Sequence, residues 1–274
     1  MHRARQGGQE DGSAQEEVSL YGGRDGKALR LVPSVVLYVD VLGVRQMARR
    51  RPATNLRRFG KAISRSYRDF GFKKSPWPSA SFSDMLVLCS PLSPENDEKS
   101  AISGLVFQAA YLQSALSESG FFLRGGLTLG KFHISDEVIF GPALVDAVEI
   151  EEKVAVSPRI VLSKHADSIM KGSGDGLATD SSAHSLLLRD GDGHAFVNHL
   201  ALLFDDPSDP LPALESHRAI VMKCLDDHRK EKRHWEKYRW AAEYHNSVVA
   251  SAMPDATQLL VPQDTMTWQF DPFA

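Results

Sequence analysis

The chain is poor in several things, and each scarcity narrows what it does. Its 274 residues include only two cysteines, Cys89 and Cys224. Both stand in apolar contexts at no metal-ligand spacing, which argues against a disulfide framework and for buried thiols in a reducing compartment. No apolar run approaches the length that spans a bilayer. The N-terminus lacks the apolar stretch of a secretory signal, so a cytoplasmic protein without membrane contact is expected. Charge of one sign is also lacking: the formal net charge is −3, which provides no bulk attraction for nucleic acid. There is no internal repeat, and the ten histidines are scattered without metal-ligand spacing.

What is present is organised around Ser34–Gly43, an almost unbroken apolar and β-branched run that reads as a strand buried on both faces. Residues 1–29 before it are polar and rich in Gly, Gln and Glu, and read as a mobile tail. Residues 30–204 read as the main domain and 205–274 as a helical extension packing on it. A basic amphipathic helix is expected from Thr54 to Phe70, outside the loop at Lys73–Ser79. A hairpin follows, turning at Ser83-Asp84. Ile102, Leu105, Val106, Ala109, Leu112 and Leu116 repeat at helical spacing, with Gly120 closing that helix. Phe121–Leu129 is strand-like, with Arg124-Gly125-Gly126 marking a bulge or a close approach. A hairpin around Ser135-Asp136, a helix starting at Pro142 and a strand at Pro158–Leu162 complete the core. A single long helix is expected over Leu214–Ala250. The glycine-rich run at 172–176 reads as a loop. This order predicts an α+β, ferredoxin-like core: an antiparallel sheet with helices on one face, the other free for a ligand or a second copy.

One carboxylate, Asp40, sits near the end of the buried strand, where an unpaired charge is costly. Either it caps the next helix or it holds a cation. Asp84, on the hairpin expected beside it, is either a turn residue or a second ligand. Together with the backbone carbonyl of Val41 the two would supply hard oxygen ligands suited to Mg²⁺ or Mn²⁺. The backbone after Asp40, at Gly43 and Val44, would face phosphate at a helix start. Arg124 suits phosphate oxygens, or else it is the structural partner of Glu149 or Glu151. Lys131 is a weaker phosphate candidate.

These stretches resemble a family. Asp40-Val41-Leu42-Gly43, Phe82-Ser83-Asp84, Leu123-Arg124-Gly125-Gly126-Leu127-Thr128-Leu129-Gly130, the helix from Phe140 to Glu151 and the strand Pro158–Ser163 are similar, in order, to the motifs of class III nucleotidyl cyclases. The resemblance covers about residues 33–163. It implies two divalent ions (Mn²⁺ or Mg²⁺) per site, held by Asp40, Asp84 and the Val41 carbonyl, and a homodimer with composite active sites. Four positions depart from the purine-using members. Val145 stands where they carry a transition-state Asn, and Glu149 where they carry an Arg. Ala80 and Val138 stand at the two base-reading positions. The Arg124-Gly125-Gly126 strand, the Gly141-Pro142-Ala143-Leu144-Val145 helix ending in Glu151 and the late run Lys237–Asn246 look like the bacterial Pycsar pyrimidine cyclases of antiphage defence. That likeness implies UTP or CTP as substrate and cUMP or cCMP as product, with a separate effector reached through the cyclic nucleotide. Two other readings stay open. One is a cyclase-like fold that binds a nucleotide without turnover. The other is a palm-type polymerase-like enzyme using the basic run His228–Trp235, which otherwise reads as a solvated helix face.

Overall fold

The run at Ser34 forms β1 (Val32–Val41), and its alternate residues are buried on opposite faces of one sheet. The computed structural model describes residues 30–44, 52–69, 79–82, 84–135, 138–171, 183–205 and 209–268. The chain divides into Met1–Leu31 and Val32–Ala274, and the fold is that of the second unit. The expected tail, the segment after Val44, Ser83 and the glycine-rich loop at 172–176 lie outside the described residues.

The sheet runs β2 (Ser79–Phe82), β3 (Met85–Pro91), β1, β4 (Leu123–Ile134), β6 (Ile160–Leu162), β8 (Ala195–Val197), β7 (Leu187–Arg189), and β5 (Ile139–Phe140) pairs with the end of β4. All pairings are antiparallel except β4 with β6. Helix α1 (Pro52–Asp69) links β1 to β2, and α2 (Glu98–Ser117) links β3 to β4. The four-strand order β2-β3-β1-β4 with these two crossovers is the expected α+β, ferredoxin-like arrangement.

Helix α2 starts where the Asp97 side chain accepts a hydrogen bond from the Ser100 N–H at 2.7 Å. It buries Ile102, Leu105, Val106, Leu112 and Leu116 against the face of β1 that carries Val35, Leu37 and Val39. Each such side chain contributes about 1.5–3 kcal/mol on burial, so this layer sets the face of every β1 residue. The helix ends at Glu118, two residues before Gly120, which takes the left-handed conformation at φ +75°.

The second face is not free of helix, which corrects the one-face expectation. Helix α3 (Pro142–Lys153) crosses it, with Ala143 and Ala147 packed on Val36, Tyr38, Val87 and Phe132. Small residues on both sides permit this. A Cβ added at Gly126 of β4 would lie 2.3 Å from the Ala147 carbonyl oxygen and 2.8 Å from Ile150 Cβ. The glycines of Arg124-Gly125-Gly126 therefore mark a close backbone approach within an unbroken strand. Gly126→Ala is expected to cost about 1–3 kcal/mol by forcing α3 away from the sheet. Urea unfolding measures this, and a loss below about 0.5 kcal/mol would contradict the close contact.

After β6 come α4 (Lys164–Lys171), α5 (Leu202–Asp205), α6 (Leu211–Asp227) and α7 (Lys232–Ala252). The single long helix expected over Leu214–Ala250 is thus two helices. The His228 N–H closes α6 on the Cys224 carbonyl at 3.2 Å, and the Glu231 N–H bonds the His228 carbonyl at 2.8 Å. The four turn residues are all polar and include no Gly or Pro, so neither the apolar period nor a breaker signals the bend. Val221 and Leu225 of α6 and Trp235, Tyr238 and Ala242 of α7 pack on Phe122, which directly precedes β4. Val261 and Met266 join this cluster, and Asn246 bonds both the carbonyl (2.9 Å) and the N–H (2.7 Å) of Val261.

No helix among the described residues is long and apolar enough to cross a membrane. Cys89 is buried and Cys224 half-buried, and burial pushes both thiols up to about 12.

Candidate active site

Three elements converge where β1 ends. Asp40 is the penultimate residue of β1, and its even number places it on the α3 face with Val36 and Tyr38. Asp84 lies in the turn between β2 and β3. Its carbonyl accepts the Val41 N–H at 3.1 Å, which ties the turn to the strand end. Leu42 continues the ladder through its N–H to the Phe122 carbonyl at 2.8 Å, and Gly43 then turns the chain at φ +80° beside the Tyr238 hydroxyl. A side chain at Gly43 would strain that left-handed turn.

Asp40, Val41, Gly43, Val44, Asp84 and Arg124 all line one cavity of about 390 Å³. Arg124 is directly opposite Asp40 in the β1–β4 register. Its Nη2 and Nε donate to Asp40 Oδ2 at 3.0 and 3.2 Å. Nε also lies 2.6 Å from Glu151 Oε1 of α3. That carboxylate oxygen makes no aligned hydrogen bond, so the contact is an ion pair, with the Nε–H directed at Asp40. Of the two structural partners considered for Arg124, Glu151 is the one found. Glu149 instead pairs with Lys153 at 2.8 Å on the exposed side of α3.

The field of this cluster is negative. Burial pushes the Asp40 carboxyl above its ordinary value, Arg124 pulls it down, and the Asp84 charge pushes it up again. Glu151 is raised to about 7, chiefly by burial and against the pull of Arg124. The Tyr38 hydroxyl is raised to about 12 by burial and then by the charges of Asp40 and Glu151.

Among the described residues, no three His, Cys, Asp or Glu side chains are grouped to enclose a metal unaided. Two carboxylates facing one cavity nonetheless fit a hard divalent ion, since Mg²⁺ ordinarily takes one or two carboxylates and completes its shell with water and substrate phosphate. Arg124 would have to yield one Asp40 oxygen to such an ion.

Ala80 and Val138 do not line this cavity. Ala80 pairs with Val87 in the β2–β3 ladder, and Val138 closes the β4–β5 turn through its carbonyl to the Ser135 N–H at 3.0 Å. Val145 is exposed on α3, and Lys131 is exposed on β4.

The sequence reading did not place the opposite wall. His228, Arg233, His234, Lys237 and Tyr238, from the turn between α6 and α7 and the first turns of α7, line the same cavity. The basic run His228–Trp235 is therefore only partly a solvated face. One signal could have found it. Lys232 has Glu236 and Arg239 has Glu243 four residues on, whereas Arg233 and Lys237 are each other's i,i+4 neighbours.

No protein-family model matches the chain, and no curated protein matches it. Among solved structures, the adenylyl cyclase CyaB from P. aeruginosa aligns at 12% identity and a TM-score of 0.47, over 62% of this chain and 96% of that one. The guanylate cyclase domain of RhGC from Catenaria anguillulae, in complex with GTP, aligns at 15% identity and a TM-score of 0.44, over 61% and 96%. A class III adenylyl cyclase-like ATP-binding protein from Pseudomonas aeruginosa aligns at 14% identity and a TM-score of 0.41, over 50% and 34%. Likeness at this level says nothing of this chain's chemistry.

Proposed function

We propose that the chain is a metal-dependent nucleotide cyclase that converts UTP, with CTP as the second choice, to the 3′,5′-cyclic monophosphate. The observation that carries this is the convergence of Asp40 and Asp84, from a strand end and a separate hairpin turn, on one cavity. In the proposed reaction the ribose 3′ oxygen attacks the α-phosphorus, the bond from that phosphorus to the pyrophosphate oxygen breaks, and pyrophosphate leaves. Asp40, Asp84 and the Val41 carbonyl would hold two Mn²⁺ or Mg²⁺ ions, which supply a lowered pKa for the attacking hydroxyl and charge balance for the phosphates. Gly43 and Val44 lie where backbone meets phosphate. Arg124, already bonded to Asp40, can turn a guanidinium edge to the same phosphate as Asp40 takes up a cation.

The pyrimidine preference rests on Ala80 and Val138, which carry no polar group to read a purine edge. Because neither lines the cavity of its own chain, the reading includes a homodimer in which the second copy completes the base pocket. A cUMP or cCMP messenger acting on a separate effector in antiphage defence belongs to the same proposal. So do a cytoplasmic setting and the division into a catalytic domain (30–204) and a helical extension (205–274).

The test offers purified protein each of the four ribonucleoside triphosphates with Mn²⁺ or Mg²⁺. A cyclic monophosphate from UTP or CTP alone is the expected outcome. Binding without turnover would instead favour a nucleotide sensor, the reading that the Arg124–Asp40 pair supports, since it leaves Asp40 already neutralised. Primer elongation would favour a polymerase-like enzyme.

A further inference from the structure

The wall opposite the two aspartates comes from the C-terminal helices, and its charge is unbalanced. On α7 the outward cations have carboxylate partners: Lys232 with Glu236 at 3.9 Å, Arg239 with Glu243 at 3.7 Å. His234 has Glu231 at 2.8 Å. Arg233 and Lys237, one turn apart and facing the cavity, have no ion-pair partner among the described residues. Lys237 stands close enough to Arg124 and Arg233 to be repelled by both. Burial, then Arg124 and Arg233, push the Lys237 ammonium below its ordinary value, against the pull of Glu151 and Asp40. Half-buried Lys237 and the more exposed Arg233 place two like charges on one cavity wall, an arrangement that a multiply charged anion entering the cavity would relieve. The helix is firmly placed to hold them there, since Trp235 and Tyr238 are buried against Phe122.

We propose that Arg233 and Lys237 are the polyphosphate-binding cations of this cavity. They are supplied in cis by α7 and hold the outer phosphates of a nucleoside triphosphate whose reacting end lies at Asp40 and Asp84. The inference rests on the cyclase reading for the identity of the anion, and on the cavity alone for its charge. It assigns the C-terminal extension a part in substrate binding, and it makes the phosphate end of the site independent of a second copy.

The test is calorimetric titration of the full chain with inorganic tripolyphosphate in EDTA, so that no metal bridges the anion to the aspartates. The double variant Arg233→Gln/Lys237→Gln is expected to bind about 100-fold more weakly, roughly tenfold for each charge-assisted contact. The conservative pair Arg233→Lys/Lys237→Arg should stay within about fivefold of the unmodified chain. Arg239→Gln, on the outer face, should bind as the unmodified chain does. Equal affinity in the double glutamine variant overturns the proposal. So does an equal loss in Arg239→Gln, or an unmodified chain that does not bind tripolyphosphate. If the double variant melts early, Lys237→Gln alone is used, with about a tenfold loss expected. Failure of the cyclase reading looks different: tripolyphosphate binds through this pair, yet no triphosphate is cyclised.

Discussion

Alanine at Asp84 or at Asp40 is expected to lower the rate of cyclic nucleotide formation by about 10³-fold or more, on the order of 4 kcal/mol of transition-state stabilisation. The fold should survive both changes, for different reasons. Asp84 is half-exposed, and its side chain makes no hydrogen bond among the described residues. The bond that fixes the turn comes from its backbone carbonyl to the Val41 N–H, which alanine retains. Asp40 is more deeply set and is bonded to Arg124. Removing it leaves that guanidinium 2.6 Å from Glu151, so no charge is stranded. Initial rates of product formation and thermal melting, taken together, check this. Full activity in either variant would refute the metal assignment. A melting transition lowered by more than about 10 °C would show that the aspartate is structural instead.

Acid should loosen the C-terminal helices before it touches the sheet. His199, after β8, His217 of α6 and His245 of α7 are buried together. The Leu259 carbonyl can only accept, so the 3.0 Å contact to it places a proton on His245 Nε2. His245 Nδ1 then accepts from His217 Nδ1–H at 3.1 Å. His217 Nε2 and His199 Nε2 are buried without a hydrogen-bond partner. All three rings are neutral here. Burial, with His245 adding to it, pushes His199 down to about 3. Burial, then His199 and His245, push His217 well below its ordinary value. His245 is lowered by burial, opposed by the Leu259 carbonyl and helped by Arg218.

The unfolded chain protonates its histidines near pH 6.5, and the folded chain resists doing so. Their stabilisation is therefore complete above about pH 6.5 and is lost as the pH falls toward about 3. Glu151, with its pKa raised to about 7, works against this by roughly one proton. Below about pH 6.5 the unfolded chain therefore takes up protons at the three histidines that Glu151 only partly gives back, and stability falls as the pH drops. Denaturant unfolding at a series of pH values measures it, and a midpoint constant from pH 7 to 5 would contradict neutral buried rings.

Much of this architecture could be read from the chain because its signals are local. The β-branched run at Ser34, the helical spacing from Ile102 to Leu116 and the proline at position 142 each act through their own backbone and one neighbouring layer. Asp40 and Asp84 could be brought together on paper because a ferredoxin-like order puts β3 beside β1. Three things could not be read this way. The bend at 228–231 is made of polar residues that interrupt no apolar period. The glycines at 125 and 126 signal a bulge or a close approach but not which neighbour makes it, since Gly125 meets the β1 backbone and Gly126 meets α3, both far away in the chain. Arg233 and Lys237 look solvated, because the cavity they face is formed by a strand end about two hundred positions earlier in the chain.

Helix α7 is held tightly at one end and lines the cavity at the other. Near its C-terminal end Tyr244 donates to Asn198 at 2.6 Å, and Asn246 is bonded on both sides to Val261. Arg233 lies about 18 Å along the axis from His245, at 1.5 Å per residue. The N-terminal turns of α7 are held in turn by Trp235 and Tyr238 on Phe122; without that packing a tilt of roughly 5° about the far end would displace Arg233 by about 1.6 Å over that length. Displacements of that order are enough to take a cation out of hydrogen-bond range of a phosphate oxygen. The packing of two aromatic side chains on Phe122 therefore fixes where Arg233 and Lys237 meet the cavity.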